Sequence, residues 1–341
     1  MKIAVYEVEE WEKEAFDVLR AGGHDVVTLS EPLTPENAAE HSDAGIISPF
    51  IYSHLGRDTL RHFGGLRMIA TRSTGFDHID MDYCRERGVV VSNVPNYGEN
   101  TVAEHVFALI LAISHRMYDA IDRTRKGDFS QAGLRGFDLR GKTIGVIGVG
   151  GIGRHVIEIA RGFNMRVLAY DVRRNERLST ELGFAYEELP EILSQSEIIT
   201  LHVPANEKTK DFISTDEFNL MKNGVVIINT SRGSVLNVQA LLRAIADGKV
   251  GAAGLDVLDE EPAIREEAEL LSSIFRKKYD LETVLANSVL LRLRNVLITP
   301  HSAFNTKEAV QRILKTSVEN IAAFLAGQPE NIVGQAPGKA A

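Results

Sequence analysis

Lys142–Asp171 reads KTIGVIGVGGIGRHVIEIARGFNMRVLAYD. It opens on Thr143–Ile147, a run of β-branched residues and glycine of the length expected for a strand buried on both faces. Gly148-Val149-Gly150-Gly151-Ile152-Gly153 follows, with GxGxxG spacing, and leads at once into a helical pattern. Val156, Ile157, Ile159, Ala160 and Phe163 line one side of that helix, and Gly162 is the expected stop. Arg166–Tyr170 then reads as a second buried strand ending at Asp171. Each part has a task in holding a dinucleotide. Gly148 permits the tight turn, and Gly150 lets a pyrophosphate approach the backbone. Gly153 lets helix and strand pack closely, while the helix N-terminus offers its unpaired N–H groups to phosphate. Asp171, 18 residues beyond Gly153, is placed to accept hydrogen bonds from a ribose diol. A carboxylate there repels a 2′-phosphate and favours NAD over NADP, although Arg173 and Arg174 work against that preference. A bare GxGxxG is a weak signal; strand, glycines, helix, strand and acid in order make a strong one.

The surrounding chain has 341 residues, enough for two domains, with 44% hydrophobic and 25% charged residues. A net charge of −9 argues against nucleic acid or an anionic membrane as partner. The single cysteine, Cys84, excludes an intrachain disulfide and a Cys-based metal cluster, and reads as a small buried hydrophobe. MKIAVYEVEEWEKEAF at the start has no secretory h-region, and the longest apolar run, Val106–Ile113, is too short to span a bilayer. A cytoplasmic enzyme is the expectation.

Residues 1–95 read as alternating strands and helices: strands at Lys2–Tyr6, Asp25–Leu29, Ala44–Ser48, Arg67–Thr71 and Val89–Ser92, helices at Glu10–Ala21, Arg57–His62 and Met81–Arg87. That alternation predicts an α/β protein with doubly wound parallel sheets. One long helix is expected from Glu99 to about Lys126, capped by Thr101. Beyond the glycine-rich unit, strands are expected at Ile198–Val203, Gly224–Asn229, Ala252–Val257 and Val296–Thr299. Helices are expected at Leu189–Leu193, Thr215–Met221, Val238–Asp247 and Lys307–Ala326. Pro262–Arg294 reads as an inserted helical segment, and the tail from Gln328 as frayed.

Several strings together resemble one family. RGSV at 232–235, GLDVLDEEP at 254–262 and TPHSAF at 299–304 are similar to signatures of the D-isomer-specific 2-hydroxyacid dehydrogenases. RSTGFDHID and VPNYGENTVAEH in the first third match as well, and the wording is most similar to the D-lactate dehydrogenase branch. The resemblance implies a flavodoxin-like substrate domain, 1–97 with 302–341, a Rossmann NAD-binding domain, 98–301, and an active site in the cleft between them. It implies a homodimer with the helix after Glu99 in the contact, and a small 2-oxo or 2-hydroxy acid as substrate.

Reduction of a 2-oxoacid needs a hydride donor, a proton donor for the carbonyl oxygen and a cation for the substrate oxygens. The resemblance makes His301 the acid/base; an isolated histidine is more often a satisfied loop residue, and the TPHSAF string reverses that judgement. Glu261 would pair with His301 as imidazolium, and Arg232 would hold the substrate carboxylate in two places and polarise the carbonyl. Ser73, Thr74 and Gly75 resemble a loop whose amides hold that carboxylate. Tyr97 would lend a hydroxyl, and Phe50 and Tyr52 would wall the substrate side chain. For the cofactor, the resemblance adds Gly151 and Ile152 at the pyrophosphate, Val203 and Pro204 near the adenosine, Thr230 by the nicotinamide ribose and Asp256 near the carboxamide, with Thr209 and Ser231 as further cofactor-binding residues. No metal site is expected. Two rival readings stand beside NADH-dependent reduction of pyruvate to D-lactate. One is a relative acting on glyoxylate, hydroxypyruvate or a branched 2-oxoacid; the other is an NAD-sensing binding protein like the corepressors of this fold.

Overall fold

The strands of the first hundred residues are short because each needs only to cross a sheet covered by helices on both faces. β1 (Lys2–Val5), β2 (Asp25–Thr28), β3 (Ile46–Ser48), β4 (Met68–Ala70) and β5 (Val90–Ser92) form an all-parallel sheet ordered β2-β1-β3-β4-β5. The computed structural model describes residues 1–259 and 281–334. It divides into two compact units, Met1–Tyr97 with Thr306–Ala341, and Gly98–Asn305.

In the first unit the expected Glu10–Ala21 helix is a 3-10 turn, Glu10–Phe16, followed by an α-helix, Asp17–Ala21. Cys84 is buried, and burial pushes its thiol up to about 11, so it is held as an unreactive thiol. The tail does not fray where expected. Gln328 to Gly334 docks along β5: Val333 N–H donates to Val91 C=O (2.9 Å) and Ser92 Oγ to Glu330 C=O (2.7 Å). Asn331 is pinned in turn by Asn320 Oδ1 at 2.7 Å. Those partners lie more than 200 positions upstream or on the preceding helix, so local composition misses them. Residues 335–341 lie outside the described residues.

The second unit is built on β6 (Thr143–Ile147), β7 (Arg166–Tyr170), β8 (Ala185–Tyr186), β9 (Ile198–Leu201), β10 (Val225–Asn229), β11 (Val250–Leu255) and β12 (Val296–Ile298). The sheet is all parallel, in the order β12-β11-β10-β9-β6-β7-β8. After β6 the chain first builds outward through β7 and β8, then returns to lay β9 on the other side of β6. That reversal is the switch point at which doubly wound sheets leave a crevice beyond the strand ends. Ile227 packs into the cluster with Leu241, Phe218 and Leu290; Val226 and Ile228 pack into the opposite one with Val106, Ile110 and Val156. Successive residues thus serve opposite faces.

Three expectations change here. The long helix is two, Glu99–Ser114 and Met117–Arg125, and its N-cap is Gly98, with Thr101 buried inside. The break has a tertiary cause. Phe137 N–H takes the carbonyl of Ser114 (2.9 Å), a Cβ at Gly136 would overlap that same carbonyl oxygen, and Arg116 turns the chain with φ +48°. The 151–162 helix is ended by Asn164 at φ +57°, not by Gly162. A helix at Glu176–Leu182 and the edge strand β8 were not anticipated, although Asn175 at the cap and Gly183 (φ +69°) mark that helix in sequence. Of the segment read as an insertion, Leu281–Leu290 is a helix with Ala286 and Leu290 in the core; its earlier part lies outside the described residues. No helix among the described residues is long and apolar enough to cross a membrane.

Candidate active site

In a parallel sheet the loops that leave the C-terminal strand ends all open on one edge, which is why ligand sites collect there. Most of the described predicted residues of the second unit lie in those loops, and Gly151, Ile152 and Gly153 form the first turn of the helix that follows β6. Gly148–Gly150 follows β6, Asp171 follows β7, Val203 and Pro204 follow β9, Thr230–Arg232 follows β10, Asp256 follows β11, and Thr299–His301 follows β12. Since β10, β11 and β12 are neighbours, the Arg232 and His301 loops leave the sheet about 10 Å apart.

The glycine loop has the backbone form that a nucleotide cradle requires. Gly148 has φ +96°, and a Cβ on it would overlap the carbonyl oxygen of His202. A Cβ at Gly153 would overlap the carbonyl oxygen of Gly148, whereas space beside Gly150 is open. Asp171 accepts from Val149 N–H at 2.7 Å and from Arg173 N–H at 2.8 Å, which ties the strand-end acid to the loop. Gly151 has a reason beyond the expected one: the side on which a Cβ would project is filled by the Glu99 carboxylate. Thr230 Oγ is buried without a hydrogen-bond partner, a polar group waiting for one. Thr209 Oγ donates to Pro204 C=O at 2.5 Å and accepts from Asn206 N–H, shaping the 204–209 turn. His202 shares a 2.8 Å hydrogen bond with Thr200, and burial pulls its pKa down to about 3, so it stays neutral. An open groove at Gly150, helical N–H groups, a strand-end carboxylate and an orphaned hydroxyl together fit a dinucleotide.

Gly153→Ala is therefore expected to cost about 1–3 kcal/mol of stability through backbone overlap and to weaken NADH binding by about tenfold or more. Gly151→Ala displaces only a flexible Glu99 side chain and is expected to do less. Melting temperatures and fluorescence titration with NADH check both, and equal behaviour of the two variants would refute the distinction.

Arg232 is held by Asn229, a residue the sequence did not single out. Asn229 is 1% exposed; its Oδ1 accepts from Ser231 N–H and Oγ, and its Nδ2 donates to Arg232 C=O at 2.9 Å. The guanidinium donates to Ser231 C=O at 2.8 Å. The space beside Gly233 is taken by the backbone of Leu258 and Asp259, so the glycine clamps two loops together. Glu261 lies outside the described residues.

His301 sits in the left-handed region, φ +52°, and its N–H is shared between Asp256 C=O (3.0 Å) and Thr299 C=O (2.9 Å). Asp256 is 1% exposed, and its carboxylate accepts from Thr299 Oγ and from the N–H groups of Ser302 and Ala303. It is the core of the His301 loop.

In the first unit, Ser73, Thr74 and Gly75 follow β4. Ser73 Oγ donates to Gly75 C=O (2.6 Å), Thr74 Oγ to Val94 C=O (2.7 Å), and Asn93 Nδ2 to Thr74 C=O (2.8 Å). Side chains and carbonyls are thereby satisfied, while the three N–H groups find no acceptor among the described residues; such a run of amides suits a carboxylate. Phe50 and Tyr52 lie in a loop organised by Glu7, whose carboxylate accepts from Phe50, Tyr52 and Ser53 N–H at 2.9–3.0 Å and from Ser53 Oγ. Arg72, wholly buried, places its guanidinium 5.3 Å from the Phe50 ring and donates to the carbonyls of Tyr6 and Glu7. Glu7 stands in no motif, and Arg72, although it opens the RSTGFDHID string, is assigned no role by the sequence. Tyr97 is fixed through its carbonyl by Arg312 Nε at 2.6 Å.

The chain is similar to known proteins over nearly its whole length. Residues 107–303 match the model of the D-isomer specific 2-hydroxyacid dehydrogenase, NAD binding domain. The chain is 34% identical over 334 residues to a D-lactate dehydrogenase of Escherichia coli (strain K12), covering 96% of this chain and 98% of that protein. It is 32% identical over 316 residues to a glycerate dehydrogenase of Methylorubrum extorquens, covering 91% and 92%. Among solved structures, the D-lactate dehydrogenase from Aquifex aeolicus complexed with NAD and lactic acid matches with a TM-score of 0.83 and 35% identity, over 98% of this chain and 100% of that one.

Proposed function

This chain belongs to the D-isomer-specific 2-hydroxyacid dehydrogenases, with NAD as cofactor, and from that premise we propose that it is a D-lactate dehydrogenase interconverting pyruvate and D-lactate. Bound NADH supplies the hydride for C2 of the oxoacid. His301 gives a proton to the carbonyl oxygen as that carbon is reduced, and takes it back in the reverse direction. Arg232 binds the carboxylate and draws electron density from the adjacent carbonyl. Glu261 pairs with the imidazolium. In the first unit, the amides of Ser73, Thr74 and Gly75 take a carboxylate oxygen, Tyr97 lends its hydroxyl, and Phe50 and Tyr52 restrict the side chain to something small. Thr230, Ser231, Val203, Pro204 and Thr209 line the cofactor.

The observation that supports this reading is that the Arg232 and His301 loops leave the C-terminal ends of β10 and β12, on the same sheet edge as the glycine loop after β6. The glycerate dehydrogenase relative favours a second reading, reduction of hydroxypyruvate or glyoxylate. Initial rates with pyruvate, glyoxylate, hydroxypyruvate and 2-oxoisocaproate, each with NADH and NADPH, decide between them. Fastest turnover of pyruvate is expected, since a single methylene is worth about 1–3 kcal/mol in such a pocket. Turnover of none would leave a binding protein.

The same reading makes the protein a cytoplasmic homodimer. The Met117–Arg125 helix buries none of its residues, and Met117, Tyr118 and Ile121 are exposed; sedimentation of the purified chain tests the pairing.

Asp171→Ala is expected to raise NADPH use relative to NADH about tenfold, a difference of ~1.4 kcal/mol, by removing a charge opposed to the 2′-phosphate. The ratio of kcat/KM values for the two cofactors measures it, and an unaltered ratio removes the ribose contact.

A further inference from the structure

We infer that His105, on the Glu99–Ser114 helix, is a positioning residue for His301, acting through Thr299 and Asp256. The inference rests on the reading of His301 as the proton-transfer group.

The geometry is a relay of fixed polarity. Thr299 has one hydroxyl proton, and it goes to the buried Asp256 carboxylate at 2.5 Å. The hydroxyl oxygen is then left as an acceptor, and His105 Nε2 stands 3.0 Å from it. The proton on that ring is therefore on Nε2, which also lies 3.5 Å from Asp256 Oδ1. Asp256 spends its remaining acceptor capacity on Ser302 and Ala303 N–H, both at 2.9 Å, and its own carbonyl on His301 N–H. Every residue from Thr299 to Ala303 except Pro300 is thus held directly by Asp256.

His301 needs such holding. A non-glycine residue in the left-handed region costs about 1–2 kcal/mol, and the loop relaxes unless its surroundings over-determine it. The Nε2–H of His105, donated to Thr299, fixes the hydroxyl in the orientation that donates to the Asp256 carboxylate. His105 comes from a helix that packs under β11, with Leu109 and Ile113 against Gly254, so the anchor belongs to the packed core of the unit.

The test uses the full chain. His105→Leu keeps the volume and removes the donor; His105→Gln returns an amide N–H at a reach close to Nε2. With pyruvate and glyoxylate as substrates, His105→Leu is expected to lower kcat about 10- to 100-fold, the scale of a small misplacement of a reacting group. KM for the acid should move less than about threefold and NADH affinity less than about twofold. His105→Gln is expected to recover kcat to within about threefold of the parent. In the unliganded protein, amide exchange at Ser302 and Ala303 should quicken about tenfold in the leucine variant and not in the glutamine variant. Parental kcat in His105→Leu, equal impairment of both variants, or unchanged exchange at 302 and 303 would each overturn the assignment. His301→Gln in the same assay separates the two layers. If it keeps full turnover, the reading of His301 is what fails. If it is inactive while His105→Leu is unimpaired, only the positioning role fails. Should neither acid be turned over by the parent, the exchange rates alone decide.

Discussion

His301→Gln is expected to lower kcat by about 10²–10⁴-fold, the contribution typical of a positioned general acid, while NADH affinity stays within about twofold. Glutamine is close to histidine in length and can hydrogen-bond a substrate oxygen, but it cannot give up a proton at neutral pH. The substitution therefore isolates proton transfer from binding. The loop survives it, because what holds residues 299–303 is the Asp256 carboxylate and backbone N–H groups, none of which belongs to the His301 side chain. Loss of kcat with KM for the acid little changed is the signature of an interaction made in the transition state. Stopped-flow measurement of NADH oxidation, paired with fluorescence titration of NADH, reads both quantities. Undiminished turnover would remove His301 from the reaction. A joint collapse of turnover, NADH affinity and melting temperature would make the residue structural.

The contrast between what the sequence disclosed and what it hid follows the range of the interactions. The strands Thr143–Ile147 and Arg166–Tyr170 are legible to the residue, since a buried parallel strand is a continuous apolar run and the glycines between them punctuate it. The Arg116 break is illegible, because Val106–Ile113 and the residues after it carry helical periodicity throughout. What stops the helix is a loop arriving from Gly136 and Phe137 to take its last carbonyl. The site divides in the same way. His301 and Arg232 stand in strings recognisable on their own. The residues that hold them are marked less plainly: Asn229 is an unremarkable strand end, and His105, although it closes the VPNYGENTVAEH string, reaches Thr299 across 194 positions that no local pattern bridges. Glu7 governs the Phe50–Ser53 loop from more than 40 positions upstream. A chemical group announces itself by type, whereas its support is chosen by distance in space. Gly233 makes the same point, since it stands in the legible RGSV string while its packing purpose does not show there. The close approach it permits is to the chain at Leu258 and Asp259.

Arg232→Lys should be nearly as damaging as loss of the proton donor, despite retention of the charge. A guanidinium offers a planar fork that meets both carboxylate oxygens, or one oxygen and the neighbouring carbonyl, while an ammonium is a mobile point charge with no such fork. Truncating one partner of a close, desolvated charge pair costs about 2–5 kcal/mol; we expect the lysine variant to lose about 10²–10³-fold in kcat/KM, toward the middle of that range. The loss should fall on both KM and kcat, because the arginine binds the carboxylate in the ground state and polarises the carbonyl in the transition state. Cofactor affinity should be untouched, since Asn229 fixes the loop through Ser231 and the Arg232 carbonyl, not through the guanidinium. A discriminating control is the acid itself: pyruvamide, which lacks the carboxylate, should be as poor a substrate for the parent as pyruvate is for the variant, and should suffer little further loss when Arg232 is replaced. Equal penalties for pyruvate and pyruvamide on replacing the arginine would show that it does not bind the carboxylate, and the substrate would have to be anchored elsewhere.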